Sequence, residues 1–352
     1  MTAPQPEDDR ISDWALLRRR GGRRLIVALS GVDCPPGSFA YYNSLALPDS
    51  DQLLLNSPDN GWYFGGVPLG QGAPTLEATW AFLQKISADY DETVLIGGSM
   101  GAYGALLYGC ELPKAHVLAM SPEVYPGIRR GYFNNLAKVK EIPLNLSTIF
   151  AKRSGFKPWI VVGEKKVSDL FCLSEVNSPR VLSLRNSYHH VPSVLHTFFG
   201  RLGNIVAPLV AGELPQRLQP LLGQMVHWPE LSALLYMSEL GRVPVDRACT
   251  WLETLPVGLY IRGYLALMIS AQFERQKKPY MALRYATMAR DVNPEDLETH
   301  ALHDRLWTAL HGTPPSPCFQ HHIDPLFGQV ANYQTFLTEL HALHGIAPPK
   351  AA

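Results

Sequence analysis

The sequence predicts an α/β protein, a mostly parallel sheet with flanking helices, followed by an all-α domain. Three observations point there. Apolar, strand-like runs alternate with helical spacing over roughly the first 200 residues, the pattern of a parallel sheet. One run, Thr93 to Ile96, leads into Gly97-Gly98-Ser99-Met100-Gly101 and then into a small, apolar stretch to Tyr108, in the order strand, turn, helix. From about Gly212 onward strand signals vanish. The expected organisation is a flexible N-terminus over 1–12, a sheet domain over 13–211 and a helical domain over 212–352.

Composition narrows the function classes. At 352 residues the chain is long enough for two domains with sizeable cores. Charged residues make up 18%, and Lys+Arg 31 balance Asp+Glu 31, so no global field draws nucleic acid or an anionic membrane. Cys34, Cys110, Cys172, Cys249 and Cys318 are odd in number, scattered and without C-x-x-C spacing. That usage argues for reduced thiols in a cytoplasmic setting rather than a disulfide framework or a zinc site. The first residues lack a basic segment followed by an apolar one, and no apolar run reaches the ~18 residues of a membrane span.

Taken in order, two β-like runs between Trp14 and Ser30 flank Gly21-Gly22 and read as a hairpin, whose second arm, Leu25 to Ser30, is apolar enough for a central strand. A proline-containing loop, Gly31 to Gly37, follows, then a strand at Gln52 to Asn56. In the glycine-rich loop Asp59 to Gly66, Trp62, Tyr63 and Phe64 have no helix to pack on. Trp62 and Tyr63 are therefore candidates for a pocket mouth, with a surface aromatic cluster as the alternative. Leu76, Trp80, Leu83 and Ile86 share a helical face after a Thr75 cap.

The next stretch fits G-x-S-x-G in its required context. A serine in so tight a turn is strained, and residues two before and two after it must be nearly without side chain, which Gly97 and Gly101 satisfy. Such a turn lifts the Ser99 hydroxyl above the sheet edge. It also aims the Met100 amide, at a helix start, toward a developing oxyanion. The amide of Val32, just past Gly31 in the loop at another strand end, is the candidate second donor, and Tyr103 in the helix is a further pocket candidate. The bland alternative is a glycine-rich turn that cradles a phosphate.

Beyond Pro113, Ala115 to Met120 is another strand. Residues 124–157 hold no sheet unit and carry Arg129, Arg130, Lys138, Lys140, Lys152 and Arg153, so the segment reads as a small lid facing an anionic substrate or as a solvated basic face. Two later strands end in chemistry: Pro158 to Gly163 runs into Glu164 to Asp169, and Arg180 to Leu184 runs into Asn186 to Pro192. Serine, acid and histidine thus follow the chain order of a hydrolase relay, in which the histidine takes the serine proton and the acid fixes its tautomer. His189 is preferred to His190 because the residues after it read as a helix start; Asp169 is preferred to Glu164 because an acid needs several loop residues to turn back over the sheet.

These residues also carry a resemblance. Ser30-Gly31, Gly61-Trp-Tyr, Gly98-Ser-Met-Gly-Ala-Tyr-Gly, Leu118-Ala-Met-Ser-Pro122 and His189-His-Val-Pro192 together resemble the α/β-hydrolases encoded beside bacterial capsule and exopolysaccharide synthesis enzymes, over roughly residues 24–200. The resemblance implies an α/β-hydrolase-type sheet, a serine nucleophile and acyl-ester chemistry on a saccharide; attack by Ser99 through an acyl-enzyme needs no cofactor. Ala102 departs from it, since that group tends to have a second glycine after Gly101.

In the helical part, Ala282, Ala286, Ala289 and Pro294, with Ile269 and Phe273, sit at the spacings of one tetratricopeptide repeat. The preceding register matches Leu235 and Ala248 but places Tyr260 where proline belongs. The region reads as TPR-like, able to engage a protein partner, or as a helical domain closed by the same small residues. Cys318, His321 and His322 invite a metal, but adjacent histidines rarely converge on one ion, and no metal is expected. The sequence thus points to a serine hydrolase or acyltransferase acting on a small-molecule or saccharide ester or thioester. The alternative is a catalytically silent hydrolase-fold module that binds a polysaccharide-synthesis enzyme through its helices. A nucleotide-phosphate site ranks last for want of G-x-x-x-x-G-K-[ST].

Overall fold

The computed structural model describes residues 7–313 apart from 71, 113, 130, 142, 151, 152, 154, 175, 177–179, 228, 230, 231, 234, 237–243, 255–258 and 293–295. The chain divides into two compact units, Met1–Leu240 and Gly241–Ala352. Cys318, His321 and His322 fall outside the described residues, as does Pro294.

The first unit is built on an eight-stranded sheet. Its strands are β1 (Glu7–Ser12), β2 (Ala15–Arg19), β3 (Arg24–Leu29), β4 (Ser50–Leu55), β5 (Glu92–Gly98), β6 (Ala115–Met120), β7 (Trp159–Gly163) and β8 (Val181–Leu184). They lie in the order β1-β2-β4-β3-β5-β6-β7-β8. β1, β2 and β4 pair antiparallel, and every later pairing is parallel. The inner strands are buried along nearly their whole length, as β4, β5 and β7 show, which is why they read as unbroken apolar runs rather than alternating ones. With helices flanking it, this sheet is the α/β-hydrolase fold. Helix α1 (Leu76–Ser87) starts at Thr75, whose side chain accepts from the Ala78 amide. Helix α2 (Met100–Gly109) is buried on all sides, which explains its lack of any polar face.

The N-terminal expectations need correction. Glu7–Ser12 is a strand rather than a flexible end, and the hairpin joins β1 to β2. β2 and β3 are not neighbours, because β4 lies between them and pairs with both. Gly21-Gly22 is the point where the chain passes the start of β4: a Cβ on Gly22 would collide with the Asp49 carbonyl, and Asp51 Oδ1 accepts from the Arg20 and Gly22 amides at 2.7 and 3.1 Å. The outer strand is blunted by charge, with Asp8 paired to Arg20 at 2.7 Å and to Arg18 at 3.5 Å.

The first unit also runs past Gly212, where the sequence suggested a boundary. Leu214 and Leu218, on a short helix just beyond it, join the core formed by Ile26, Val94, Ile96, Leu118 and Met120 on one face of the sheet. Met225 is buried nearby, its amide donating to Glu164 Oε1 at 2.6 Å. Between β6 and β7 stand two short helices, α3 (Tyr132–Leu136) and α4 (Leu146–Phe150). Two longer ones follow, α5 (Val167–Ser174) after β7 and α6 (Val191–Phe198) after β8.

The second unit holds α7 (Val245–Thr254), α8 (Leu259–Arg275), α9 (Pro279–Val292) and α10 (Leu297–His311). Ile269 and Phe273 of α8 are buried with Ala282, Ala286 and Ala289 of α9, and Ser270 Oγ donates to the Ala282 carbonyl at 2.7 Å. The small residues let the two helices close together. Leu235, the match in the preceding repeat register, lies in the first unit. No single helix among the described residues is long and apolar enough to cross a membrane.

Candidate active site

The Gly97–Gly101 turn, a sharp elbow between strand and helix, begins where β5 ends. Gly97 pairs with Leu29 of β3 and with Ala119 of β6, so the turn opens at the carboxyl edge between two parallel neighbours. Ser99 takes φ 55° and ψ −120°, a strained conformation for a residue with a side chain. Its amide donates to the Met120 carbonyl at 2.8 Å, which anchors the turn to β6. The glycine requirement is steric: a Cβ on Gly97 would strike the Gly101 carbonyl, and one on Gly101 would strike the Leu29 carbonyl. Both flanking positions are therefore closed to any side chain.

Asp169 and His189 reach this turn from the two strands next in order. Asp169 stands in the first turn of α5 after β7, and His189 in the loop between β8 and α6. His189 Nε2 lies 2.7 Å from Ser99 Oγ, and His189 Nδ1 lies 2.7 Å from Asp169 Oδ2. The histidine and aspartate are buried while Ser99 is partly exposed, so the relay is shielded at its base and open at its hydroxyl. With the proton on Nδ1 facing the carboxylate, Nε2 is left with a lone pair toward the serine, the tautomer a general base requires. His190 instead is exposed at the start of α6. Glu164 is buried elsewhere, accepting from Ser183 Oγ at 2.7 Å and from the Met225 amide.

The two backbone segments that carry the expected amide donors both lie beside the Ser99 turn. Met100 is the first residue of α2, and Gly31 lies against the elbow, its Cβ position 3.6 Å from the Gly98 carbonyl oxygen. The loop carrying Val32 is held from β4's end: Asn56 Nδ2 donates to the Cys34 carbonyl at 2.8 Å, and the Asp33 amide donates to Asn60 Oδ1 at 2.9 Å. Asn60 Nδ2 donates in turn to Asp33 Oδ1 at 3.0 Å and to the Leu136 carbonyl at 2.9 Å, which ties this loop to α3.

The aromatic candidates are placed differently from expectation. Trp62 and Tyr63 are fully buried, so neither stands at a pocket mouth. The Tyr63 hydroxyl donates to the carbonyls of Ser30 at 2.8 Å and Leu55 at 3.1 Å, locking the ends of β3 and β4. Trp62 meets Phe133 of α3 edge to face at 5.1 Å. Tyr103 is buried too, its hydroxyl donating to the Leu144 carbonyl at 2.8 Å and so fixing the segment before α4. The Tyr63 loop turns inward because its phenol finds buried acceptors in the Ser30 and Leu55 carbonyls just past the ends of β3 and β4.

Four contributors escape sequence reasoning. Tyr41 sits at φ 67° with its hydroxyl 2.7 Å from where a Gly98 Cβ would be, directly beside the elbow, and burial pushes its phenol pKa up. Asn60 joins the two loops described above. Tyr132 of α3 stacks on the His189 imidazole, with ring centroids 3.9 Å apart. Glu123, buried, accepts from the Phe133 amide at 2.7 Å through Oε2. Burial raises its carboxyl to about 7; Asp169 adds to the rise, while the Phe133 amide and Lys166 oppose it. Only Glu123, in the Ser-Pro-Glu run after β6, leaves a local trace in the sequence, and it identifies no partner. Among the described residues no cluster of His, Cys, Asp or Glu is suited to hold a metal ion.

No protein-family model matches this sequence, and no curated protein matches it. Solved structures similar to the chain include the capsule O-acetyltransferase of Neisseria meningitidis serogroup A in complex with CoA, at 14% identity and a TM-score of 0.39, covering 55% of this chain and 94% of that one. A Pyrococcus furiosus esterase is similar at 13% identity and a TM-score of 0.37, over 62% of this chain and 92% of that one. A carboxylesterase of Bacillus subtilis is similar at 10% identity and a TM-score of 0.37, over 59% and 93%.

Proposed function

We propose that the protein is a serine hydrolase or acyltransferase that acts on an ester or thioester, with a small molecule or an acylated saccharide as substrate. The observation that carries this reading is the continuous chain from Ser99 Oγ through His189 to Asp169, both links at 2.7 Å. As Ser99 Oγ bonds to the acyl carbon, its proton passes to His189 Nε2 and the carbonyl π pair moves onto oxygen. The amides of Met100 and Val32 hold that oxyanion, Met100 being the first residue of α2, where the helix itself supplies no acceptor. Asp169 stabilises the imidazolium. Collapse re-forms the carbonyl and expels an alkoxide or thiolate, which takes the proton from His189 and leaves an acyl-Ser99. Water or an alcohol, deprotonated by the same histidine, then removes the acyl group.

The assembled relay speaks against a silent binding module, whose histidine would have no reason to face the serine. The TPR-like reading of the second unit supports a protein-docking role for α8 and α9 alongside catalysis, and Cys34, Cys110 and Cys249, which form no disulfide among the described residues, are in keeping with a cytoplasmic site of action. The test is turnover of a panel of short and long acyl esters and thioesters by the purified protein and by Ser99→Ala. The reading expects release from at least one substrate that Ser99→Ala abolishes. Release that persists undiminished in Ser99→Ala overturns it.

A further inference from the structure

We infer that Tyr132 is a positioning residue for the His189 base: α3 docks its ring on the imidazole, and Glu123 and Trp62 fix α3 in place. The inference rests on the hydrolytic reading of Ser99, His189 and Asp169 and extends it to the segment between β6 and β7.

The geometry is over-determined. The two rings are nearly parallel, 26° apart, with centroids at 3.9 Å. A stack this close restrains the imidazole plane from the face that neither Ser99 nor Asp169 touches, since those two act in the plane through Nε2 and Nδ1. Tyr132 cannot drift, because its neighbour Phe133 is held twice. The Phe133 amide donates to Glu123 Oε2 at 2.7 Å, and the Phe133 ring packs edge to face on buried Trp62 at 5.1 Å. At the far end of α3, Asn60 Nδ2 holds the Leu136 carbonyl.

The stack also has an electrostatic consequence. His189 becomes an imidazolium during acyl transfer, and the negative face of an aromatic ring stabilises a cation lying on it. Tyr132 stays a neutral phenol throughout the working range, its pKa pushed up to about 12 by burial first and then by Asp169 and Glu123. The other charged or titratable groups around the imidazole and its stack are Asp169 in the ring plane, Glu123, whose charge acts on both Asp169 and Tyr132, His190 with its ring centroid at 6.3 Å, and Lys166, whose Nζ lies 4.9 Å from the Tyr132 centroid. Asp169 is kept in every variant below, and Tyr132→Phe keeps the ring that Lys166 lies over, so the contrast between Tyr132→Phe and Tyr132→Leu reports the aromatic face.

The experiment measures the second-order rate of fluorophosphonate labelling from pH 5 to 9 for the wild type, Tyr132→Phe, Tyr132→Leu, Glu123→Gln and Glu123→Leu, with far-UV circular dichroism on each. Tyr132→Phe keeps the π face and is expected within about threefold of wild type. Tyr132→Leu keeps apolar cover without it; labelling should fall by roughly 10- to 100-fold, and the acid limb should move down by about 0.5 to 1 pH unit. Glu123→Gln keeps an acceptor for the Phe133 amide and should follow Tyr132→Phe, whereas Glu123→Leu should follow Tyr132→Leu. Labelling of Tyr132→Leu at the wild-type rate with an unmoved limb overturns the inference, and so does Glu123→Leu behaving as Glu123→Gln. A wild type that does not label at all overturns the hydrolytic reading itself, a result distinct from either.

Discussion

Replacing Asp169 by Asn is the perturbation whose size follows most directly from the geometry. The side chains of His189 and Asp169 are 7% and 5% exposed, so solvent screens their interaction weakly. The volume hardly changes, but the Asn amide nitrogen, when it faces Nδ1, is a donor. Nδ1 must then accept, the ring proton moves to Nε2, and Nε2 points a hydrogen rather than a lone pair at the Ser99 hydroxyl. The imidazolium of the transition state also loses its carboxylate, an attraction worth ~4 kcal/mol at about 4 Å in an effective dielectric near 20. Wrong tautomer and lost charge together should lower kcat by roughly 10³- to 10⁴-fold, or ~4 to 5.5 kcal/mol at 1.36 kcal/mol per decade. The assay is steady-state hydrolysis of the best ester from the substrate panel, with the thermal midpoint recorded in parallel. KM should barely move, and Asp169→Asn combined with Ser99→Ala should be no slower than Ser99→Ala alone, because residues that act as one unit are not additive. A kcat within tenfold of wild type, at unchanged stability, would refute the assignment of Asp169 as the partner of His189.

Other substitutions separate scaffold from chemistry. Gly101→Ala places a methyl against the Leu29 carbonyl, so the elbow must shift; a loss of about 1 to 3 kcal/mol in stability and of order 100-fold in kcat is expected, read by calorimetry and ester turnover. Tyr63→Phe strips the donor from the Ser30 and Leu55 carbonyls and should cost ~1 to 3 kcal/mol while leaving KM unchanged; a raised KM at full stability would return Tyr63 to the pocket. Glu123 gives the protein a pH signature. Its folded pKa, about 7, lies above the ordinary 4.5, so the folded state binds the extra proton and the stability this adds is full below pH 4.5 and lost as pH rises through 7. The loss amounts to ~3 kcal/mol at 1.36 kcal/mol per unit. Glu123→Gln should therefore gain on the wild type between pH 5 and 8, by roughly 5 to 10 °C in the first unit's thermal midpoint; parallel midpoints across that range would refute it.

The elbow was legible in the sequence because its demands are local: two positions closed to side chains and a strand before, a helix after. Asp169 and His189 were legible as positions for a related reason, since each comes soon after an apolar strand run, Asp169 in the first turn of α5 and His189 in the loop before α6. What escaped depends on distant pairing. Nothing near Gly21-Gly22 says that β4, arriving some way down the chain, inserts between β2 and β3. Trp62 and Tyr63 looked homeless because the groups they satisfy, Phe133 of α3 and the carbonyl of Ser30, are far away in sequence. Asn60 binds a carbonyl 76 residues on, and the Tyr132 stack reaches His189 well beyond the next strand and helix. The boundary suggested at Gly212 marked a real loss of strand pattern, yet Leu214 and Leu218 still had a sheet face to cover.

The central claim is that Ser99 is a nucleophile activated by His189, and one measurement reaches it directly. Wild-type protein treated with a fluorophosphonate is digested and its adduct located by mass spectrometry, with Ser99→Ala and His189→Gln treated alongside. A single adduct on Ser99, absent from Ser99→Ala and slowed at least 100-fold in His189→Gln, is the predicted result. An unlabelled Ser99 in folded protein, or labelling of equal speed without His189, would contradict it.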